Sequence, residues 1–386
     1  MLPAHDLQEP RGISQAISLR HKLNRLIFVL GFFILVSMPT LFFGHSGNAE
    51  QLLRENRQLA EFPHASLFFF QRLEKWYADH FGGRANLIYH GARWQMGWIG
   101  LPGNRNVVLG RDNWLFYDQH YRPGQALFAD FRGRAPFTGD QLKLIRANLL
   151  HTQRALAACR IGFYFVMPPD KQTIYSDMMP FRRPLNAKTR ADQLFEVLSS
   201  EPELQAVDLR PALRAARANE TLPLYLKTDT HWNALGAYYG VQALLQAMKT
   251  KGDANEILPP REAYQLSSLP YPGGDIAVSL LSLPNYFADE EIRMTLTVDT
   301  TKAISMANQH SRINANDGRM LLYGDSFSEL MSPLLNRRFS DVQVNRKNRI
   351  NADDLQKFRP NIVILEVLER LIAALEDGPI SLPSCS

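Results

Sequence analysis

A long uncharged segment near the N-terminus constrains this chain more than any other feature. Residues 26–43 read LIFVLGFFILVSMPTLFF and carry no charged side chain. A run of this length is typical of a helix that crosses a bilayer, where a helix satisfies its own backbone hydrogen bonds. The sequence therefore predicts one transmembrane helix at residues 26–43. Residues 1–25 then lie on one side of the membrane, and the chain from about residue 50 onward lies on the other.

The charges that flank this segment predict its orientation. Four Lys and Arg residues precede it within residues 11–25, whereas Glu50 and Glu55 follow it. The positive-inside rule then places residues 1–25 in the cytoplasm and the rest in a periplasm-like compartment. Two alternatives stay open: a cleaved signal peptide, for which Gly47-Asn48-Ala49 offers small residues before the cut, and a buried core helix. Because the run is long for a signal peptide, we favour an uncleaved anchor.

Composition limits the chemistry that the exported part can perform. The chain has 386 residues, of which 45% are hydrophobic and 21% charged, as in globular proteins with a sizeable core. The net charge is +5 and no basic run is interleaved with aromatics, so nucleic acid is not an expected partner. The two cysteines, Cys159 and Cys385, cannot build a zinc site or a disulfide framework, although one bridge stays possible. Outside the cytoplasm, ATP and acetyl-CoA are not freely available.

Predicted strands and helices alternate through most of the exported part. The predicted strands are Gly162–Met167, Ala206–Leu209, Met320–Tyr323, Val342–Val344 and Asn361–Val367. The predicted helices are Thr138–Ala158, Thr189–Leu198, Pro211–Ala218, Asn233–Lys251 and Phe327–Leu335. Such alternation predicts an α/β domain with a mostly parallel sheet and helices on both of its faces.

Three other stretches carry local signals. Leu67–Trp98 has a dense aromatic and apolar pattern, which predicts helices packed on a core. Val107–Tyr117 predicts a hairpin whose turn is Gly110–Asn113. Ile257–Asp275 contains several Pro and Gly residues and predicts a surface excursion between the two motif regions described next.

The segment Lys227–Asn233 reads KTDTHWN and places an acid two residues before a histidine. In an extended segment, residues i and i+2 point to the same side. The Asp229 carboxylate can then hold one nitrogen of the His231 ring and leave the other nitrogen free. Trp232 would wall such a site and exclude water. Taken alone, the segment is better interpreted as a polar loop that ends where Asn233 caps a helix.

The segment Leu322–Ser328 reads LYGDSFS and joins a predicted strand to a predicted helix. A serine at this junction projects at the carboxyl end of the sheet, and its N–H at a helix N-terminus is a natural oxyanion donor. Gly324 permits the tight turn before it. Gly-Asp-Ser alone is usually a turn. Together with the first segment it predicts that Ser326 is a nucleophile, His231 its base and Asp229 the orienting acid.

A divalent metal site is the competing interpretation. Asp229, His231 and Asp325 are all potential ligands for such an ion. However, His231 has no second histidine at i+3 or i+4, the spacing typical of helical metal sites, and the other histidines are scattered. We therefore expect neither a metal nor another cofactor.

These residues carry a resemblance to a known family. The chain resembles the SGNH-hydrolase-like polysaccharide O-acetyltransferases of the AlgJ and AlgX type, which occur in the periplasm of Gram-negative bacteria. The shared features are Asn56–Ala60, Gly110–Tyr117, Pro169–Tyr175, Lys227–Asn233, Gly274–Ala277 and Gly324–Ser328. In this group the Asp-x-His-Trp segment precedes the Gly-Asp-Ser segment, which inverts the order of ordinary SGNH hydrolases.

The resemblance implies a flavodoxin-like, SGNH-hydrolase-like domain over residues 50–386 with Ser326, His231 and Asp229 in the roles given above. It also implies a single-pass protein of the bacterial inner membrane. A multi-spanning membrane acyltransferase would supply an acetyl group, which Ser326 would pass to an exported polysaccharide. Alginate, cellulose and other exopolysaccharides stay open as the acceptor. The ending soon after the last predicted strand is similar to the AlgJ branch, because the AlgX branch adds a C-terminal carbohydrate-binding module.

Some features leave the function open at this point. Five basic residues follow the predicted nucleophile and would either attract an acidic glycan or form a solvated face: Arg337, Arg338, Arg346, Lys347 and Arg349. Two other functions are compatible with the motifs. One is a membrane-anchored scaffold of an acetylation complex without catalysis. The other is a polysaccharide acetylesterase, which shares the acyl-enzyme and differs only in its acceptor.

Overall fold

The computed structural model describes residues 22–34, 37, 58–118, 128–254, 257–297 and 318–384. The chain divides into two compact units, Met1–Trp94 and Gln95–Ser386. In the first unit, residues 22–34 are helical, and the remainder of the predicted membrane segment lies outside the described residues apart from Ser37. Among the helices that the structure describes, none is both long and apolar enough to cross a membrane.

Two further helices follow in the first unit: α1 (Phe69–His80) and α2 (Arg84–Trp94). They confirm the helices predicted from the aromatic pattern. The expectation that this pattern packs on a core is not met for part of its large side chains, since Phe70 is 82% and Trp94 59% exposed, while others such as Phe69 and Trp76 are partly buried. Helical periodicity identifies an apolar face but does not say what covers it.

The second unit begins with the predicted hairpin. Strands β1 (Val107–Leu109) and β2 (Leu115–Tyr117) pair in antiparallel fashion around the expected turn. Asp112 and Asn113 adopt φ values of 51° and 64° there, a left-handed conformation that Asp and Asn tolerate better than most residues. The Leu115 N–H donates to the Lys227 carbonyl at 2.9 Å, which joins the hairpin to the Asp-x-His segment.

A five-stranded parallel sheet forms the centre of this unit, as predicted. Its strands are β3 (Gly162–Met167), β4 (Ala206–Asp208), β7 (Arg319–Tyr323), β8 (Asp341–Asn345) and β9 (Ile362–Glu366). Their order across the sheet is β4-β3-β9-β7-β8. The last strand along the chain therefore lies in the middle of the sheet, between β3 and β7.

Helices cover both faces of the sheet. They are α3 (Gly139–Ala158), α4 (Lys171–Ile174), α5 (Arg190–Leu198), α6 (Arg210–Asn219), α7 (Ala234–Lys251), α8 (Ser328–Leu335) and α9 (Ala352–Phe358). Successive strand residues point to opposite faces, so Leu321 and Leu322 on β7 belong to two different apolar clusters. The cluster with Leu322 contains residues of α6, α7 and α8, and the cluster with Leu321 contains residues of α3, α5 and α9.

Helix ends follow their sequence signals. Thr138 accepts the Gln141 N–H while the Gln141 side chain accepts the Thr138 N–H, which is the predicted capping box of α3. The Asn233 side chain accepts the Leu235 and Gly236 N–H groups at the start of α7. Gly252 ends α7 in a left-handed conformation with φ of 83°.

One stretch of this unit is more regular than predicted, and a disulfide that the sequence left open is present. The stretch predicted as a surface excursion contains β5 (Tyr264–Tyr271), which pairs in antiparallel fashion with β6 (Asp289–Leu296), and its end at Gly274 and Asp275 enters the candidate site. Pro270 and the Ser267-Ser268 pair weaken the strand signal, and the partner strand is remote in sequence. Cys159 is disulfide-bonded. The chain has only one other cysteine, Cys385, which lies outside the described residues.

Candidate active site

The turn that carries Ser326 lies at the carboxyl end of β7. The strand ends at Tyr323 and α8 begins at Ser328, one residue later than predicted. Asp325 Oδ1 accepts the Phe327 N–H at 2.9 Å, so the Asp side chain spans Ser326. Gly324 has no room for a side chain, because a Cβ there would overlap the Glu366 carboxyl and approach Ser328. The local sequence thus fixes a tight turn that presents Ser326 above the sheet edge.

The three residues predicted to form a nucleophile system lie in hydrogen-bonded order. Ser326 Oγ is 2.5 Å from His231 Nε2, and His231 Nδ1 is 2.5 Å from Asp229 Oδ1. Both imidazole nitrogens are therefore engaged, with Asp229 on the side away from the serine. This arrangement sets the tautomer that leaves Nε2 free to accept the Ser326 proton.

The predicted reason for the Asp229–His231 contact was only partly right. The residues 229–231 form a bend, not an extended segment. Asp229 Oδ1 also accepts the His231 N–H at 2.9 Å, so the carboxylate holds both the backbone and the ring of the residue two positions on, as in an Asx turn. Tyr225 and Trp232 form a β-bridge that closes the base of the loop. We call residues 226–231 the acid–base loop.

Aromatic side chains pack under this loop. Trp232 is fully buried, and its ring centroid lies 5.1 Å from that of Phe327. The Phe327 ring also lies 5.2 Å from the His231 ring. The expectation that Trp232 walls the site agrees with this packing, while Asn233 caps α7 as predicted. The residues after His231 and after Ser326 thus form one apolar contact that keeps the two segments together.

Lys171 stabilises the backbone of the acid–base loop through three hydrogen bonds. Its Nζ donates to the carbonyl oxygens of Leu226, Lys227 and Asp229 at 3.2, 2.9 and 2.6 Å. Only 3% of Lys171 is exposed, and Nζ lies 5.3 Å from the Phe116 ring centroid. Burial lowers the pKa of Lys171 to about 8, although Asp229 and other nearby carboxylates oppose the shift. The sequence assigned no role to this residue, although it falls in the shared Pro169–Tyr175 feature.

Asp275 is a second carboxylate behind the imidazole that sequence reasoning did not place in the site. It accepts the Thr230 N–H at 2.7 Å and the Thr230 hydroxyl at 2.5 Å, and its Oδ2 lies 3.8 Å from His231 Nδ1. Its own N–H donates to Asp229 Oδ2 at 2.9 Å. Asp275 falls in the shared Gly274–Ala277 feature, which was the sequence signal that could have identified it. These contacts tie the acid–base loop to the segment after β5.

The charges around His231 favour its protonated form. Burial lowers the pKa of His231, but the hydrogen bond and charge of Asp229 and the charge of Asp275 outweigh it and raise the pKa above 6.5. Burial raises the pKa of Asp229. Its hydrogen bonds to His231 and to the Asp275 N–H outweigh burial and hold the pKa of Asp229 well below 3.8. Burial and the Asp229 charge raise the pKa of Asp275. A proton taken from Ser326 would therefore be stabilised on the imidazole.

A network of charged residues lies beside the triad. Asp170 forms an ion pair with Arg370, which follows β9, and the Asp170 N–H donates to Glu369 at 2.9 Å. Burial raises the pKa of Asp170 despite the Arg370 charge. Arg370 also acts on the pKa of His231, which it lowers. The Arg370 guanidinium therefore limits how far Asp229 and Asp275 raise the pKa of His231.

The metal alternative does not assemble with the ligands predicted for it. In the part of the chain that the structure describes, the residues that bring ligand atoms within 4.8 Å of one another are Asp229, His231 and Asp275. Asp325 faces the Phe327 N–H instead. The His231 nitrogens are engaged with Asp229 and Ser326, so the geometry favours proton transfer at this cluster.

Local contacts engage Arg346 and Arg349, two of the basic residues that follow the nucleophile. Arg346 pairs with Glu329, and Arg349 donates to the Asp377 and Gly378 carbonyls at 3.0 Å each. These contacts favour the structural interpretation for both residues. Within the described residues, the Ser326 N–H donates to no acceptor, so it is available to the carbonyl oxygen that becomes an oxyanion when Ser326 Oγ attacks an acyl group.

Comparison with known proteins identifies the family of this chain. Residues 107–366 match the family model described as SGNH hydrolase-like domain, acetyltransferase AlgX. The probable alginate O-acetylase AlgJ of Pseudomonas putida is 28% identical over 156 residues, which cover 40% of this chain and 36% of that protein. Its counterpart in Pseudomonas aeruginosa is 30% identical over 145 residues, which cover 38% and 33%. The matches therefore span about a third of the length of these curated relatives.

Solved structures also match this chain. The O-acetyltransferase domain of Pseudomonas putida AlgJ aligns with a TM-score of 0.47 and 23% identity, over 71% of this chain and 93% of that one. Bacillus cereus PatB1 aligns with a TM-score of 0.49 and 15% identity, over 69% and 96%. The family model covers more than half of the 386 residues. The chain therefore belongs to the family of SGNH hydrolase-like acetyltransferase domains that is described by AlgX.

Proposed function

We propose that this chain is an O-acetyltransferase that carries an acetyl group on Ser326 and passes it to a hydroxyl of an exported polysaccharide. The observation that supports this most directly is the hydrogen-bonded series Ser326–His231–Asp229, with both contacts at 2.5 Å. A serine hydroxyl becomes a competent nucleophile at neutral pH when such a base receives its proton. Membership of an acetyltransferase family names the acyl group.

The first half of the reaction loads the serine. Ser326 Oγ attacks the acetyl carbonyl carbon of the donor while its proton moves to His231 Nε2. The resulting oxyanion accepts a hydrogen bond from the Ser326 N–H. When the tetrahedral intermediate collapses, the bond from carbon to the donor oxygen or sulfur breaks, and the leaving group takes the proton from His231. Ser326 is left as an acetyl ester.

The second half transfers the group. A sugar hydroxyl gives its proton to His231 Nε2 and attacks the acetyl carbonyl carbon. Collapse then breaks the bond to Ser326 Oγ, which regains the proton. Asp229 stabilises the imidazolium in both halves. If water takes the place of the sugar hydroxyl, the same steps give an acetylesterase.

The membrane segment and the relatives suggest the surroundings of this reaction. We place the helix at residues 26–43 in the bacterial inner membrane and the unit that carries Ser326 in the periplasm. A multi-spanning membrane acyltransferase would then deliver the acetyl group, because acetyl-CoA is not freely available there. The acceptor we propose is an acidic exopolysaccharide of the alginate class, since the relatives are named probable alginate O-acetylases.

The test uses the full chain in detergent micelles with a small activated acetyl ester. We expect an acetyl adduct on the peptide that contains Ser326, and its loss in Ser326→Ala and His231→Ala. Ser332→Ala, on α8 but outside the hydrogen-bonded series, is the matched control and should keep the adduct. Addition of a uronic acid oligosaccharide should shift the product from acetate to acetylated sugar.

Three outcomes would count against the proposal. A folded wild-type protein without an adduct would favour the scaffold. Equal adducts in wild type and Ser326→Ala would place the nucleophile elsewhere. An adduct that only water can discharge, whatever glycan is added, would favour the acetylesterase.

A further inference from the structure

Glu366 lies directly beside the turn that carries Ser326. It is the last residue of β9, and β9 pairs with β7 so that Leu365 is opposite Tyr323. Its Oε2 accepts the Asp325 N–H at 3.0 Å, across strands that are 41 residues apart in sequence. The side chain occupies the space that a Cβ on Gly324 would need. Glu366 is therefore a long-range support of an otherwise local turn.

The surroundings of Glu366 do not suit a carboxylate ion. The residue is 0% exposed, and within the described residues no Lys or Arg forms an ion pair with it. Its Oε1 and the Asp325 Oδ2 are both buried, and neither oxygen has a hydrogen-bond partner within the described residues. An ionised carboxyl group can only accept hydrogen bonds, and burying two adjacent ions is costly. A proton shared between the two carboxyl groups would satisfy both oxygens.

We propose that Glu366 is a positioning residue that acts as a neutral carboxylic acid, donating a hydrogen bond to the Asp325 carboxylate while accepting one from the Asp325 N–H. Asp325 in turn accepts the Phe327 N–H, so the two acids brace the backbone on both sides of Ser326. This leaves the Ser326 N–H free for an oxyanion. The inference rests on the proposed function, because it assigns Glu366 to the positioning of Ser326.

The charges that face Glu366 are consistent with a neutral acid. Burial raises the pKa of Glu366 well above 4.5, and the charge of Asp325 and a hydrogen bond between the two side chains raise it further. Arg370 is the opposing cation and lowers this pKa, but its guanidinium is paired with Asp170. The balance favours the protonated form of Glu366.

Two substitutions separate a neutral acid from an ion. Glu366→Gln keeps a donor and an acceptor of nearly the same shape, and we expect Ser326 acetylation within about threefold of wild type. Glu366→Met removes both and should slow acetylation by about tenfold to a hundredfold, since it leaves the buried Asp325 groups unpaired. Ile364→Val, on the same strand, controls for general loss of packing. A folded Gln variant as slow as the Met variant would overturn the proposal.

Infrared difference spectroscopy gives a readout that does not depend on activity or on the Met variant. In the wild type minus Glu366→Gln spectrum of the full chain at pH 7, we expect the carbonyl band of a protonated carboxylic acid, shifted in D2O. A carboxylate band in its place would overturn the proposal. Because this spectrum needs no substrate, it still decides the state of Glu366 if wild type forms no acetyl-Ser326 and the proposed function fails.

Discussion

The nucleophile turn and the acid–base loop meet at one sheet edge, but different parts of the chain hold them in place. The turn at Gly324–Phe327 follows β7 directly, and Asp325 accepts the Phe327 N–H within the turn, with Glu366 as a long-range support. The acid–base loop lacks a strand at its tip and is held by residues 45 to 58 positions away in sequence, namely Asp275 and Lys171. The position of the serine is thus encoded mostly by a local turn, whereas the base that activates it depends on the assembled fold.

The largest expected effect comes from the acid that orients the base. Asp229→Asn keeps the size of the side chain but removes the charge that stabilises the imidazolium and favours the wrong tautomer. We expect acetylation of Ser326 to slow about 1,000-fold or more. The measurement is the single-turnover rate with a small acetyl ester, and Asp140→Asn, an exposed acid on α3, is the control. A loss below tenfold would show that Asp229 does not orient the base.

Removal of Lys171 tests whether the loop backbone needs its distant support. In Lys171→Met three carbonyl oxygens lose a charged donor, and we expect unfolding free energy to fall by about 2–4 kcal/mol and acetylation to slow about 100-fold. Lys171→Arg should recover part of both. Lys143→Met, at a side chain that is 80% exposed, serves as the control and should change neither quantity. An active, fully stable Lys171→Met protein would mean that the loop holds itself.

The pH dependence of the reaction reports on Asp275. His231 must be neutral to accept a proton, so acetylation should rise with pH through its pKa, which lies above 6.5. The negative charge of Asp275 contributes to that raised value. In Asp275→Asn the acidic limb should therefore move to lower pH by about 0.5–1 unit, while the plateau rate falls less than tenfold. A limb that stays in place or moves to higher pH would contradict this assignment.

The smallest effect concerns stability, and it tests the support of the nucleophile turn. The pKa of Glu366 is raised in the folded state, so between the unfolded pKa and the folded pKa the folded protein holds a proton that the unfolded chain has lost. Glu366 therefore makes the protein less stable as pH rises, by at most about 1.4 kcal/mol per pH unit. Glu366→Gln should give a flatter curve of unfolding free energy against pH above about 4.5. Parallel curves for the two proteins would contradict the prediction.

The same contrast explains how far sequence reasoning reached. The parallel sheet and Ser326 were predicted because the strands are continuous apolar runs and the turn between β7 and α8 is local. Asp229 and His231 were identified from residue type and spacing, although the bend that joins them was not. The roles of Lys171 and Asp275 arise from contacts across 58 and 45 positions, which no local pattern contains.

Two other differences have related physical causes. The β5–β6 ribbon pairs segments that flank the Asp275–Leu280 turn, and its Pro and Ser residues hide the alternation that marks a strand. The aromatic pattern of α1 and α2 identified helices correctly but not the exposure of their apolar side chains. Burial is a property of the surroundings, and a periodic pattern contains only the preference of a segment for burial.

The position of β9 has a consequence for how the protein folds during its synthesis. Since β9 lies between β3 and β7, the strand that begins the sheet and the strand that leads to the serine become neighbours only through it. During synthesis, the chain up to residue 361 contains the serine, the histidine and both acids behind it, yet lacks the middle of its sheet. We expect such a nascent chain to be unreactive toward acetyl donors. We also expect it to fold slowly, because the pairing of β3 with β9 joins residues 200 positions apart. Ser326 would then become reactive only once β9 has paired with β3 and β7.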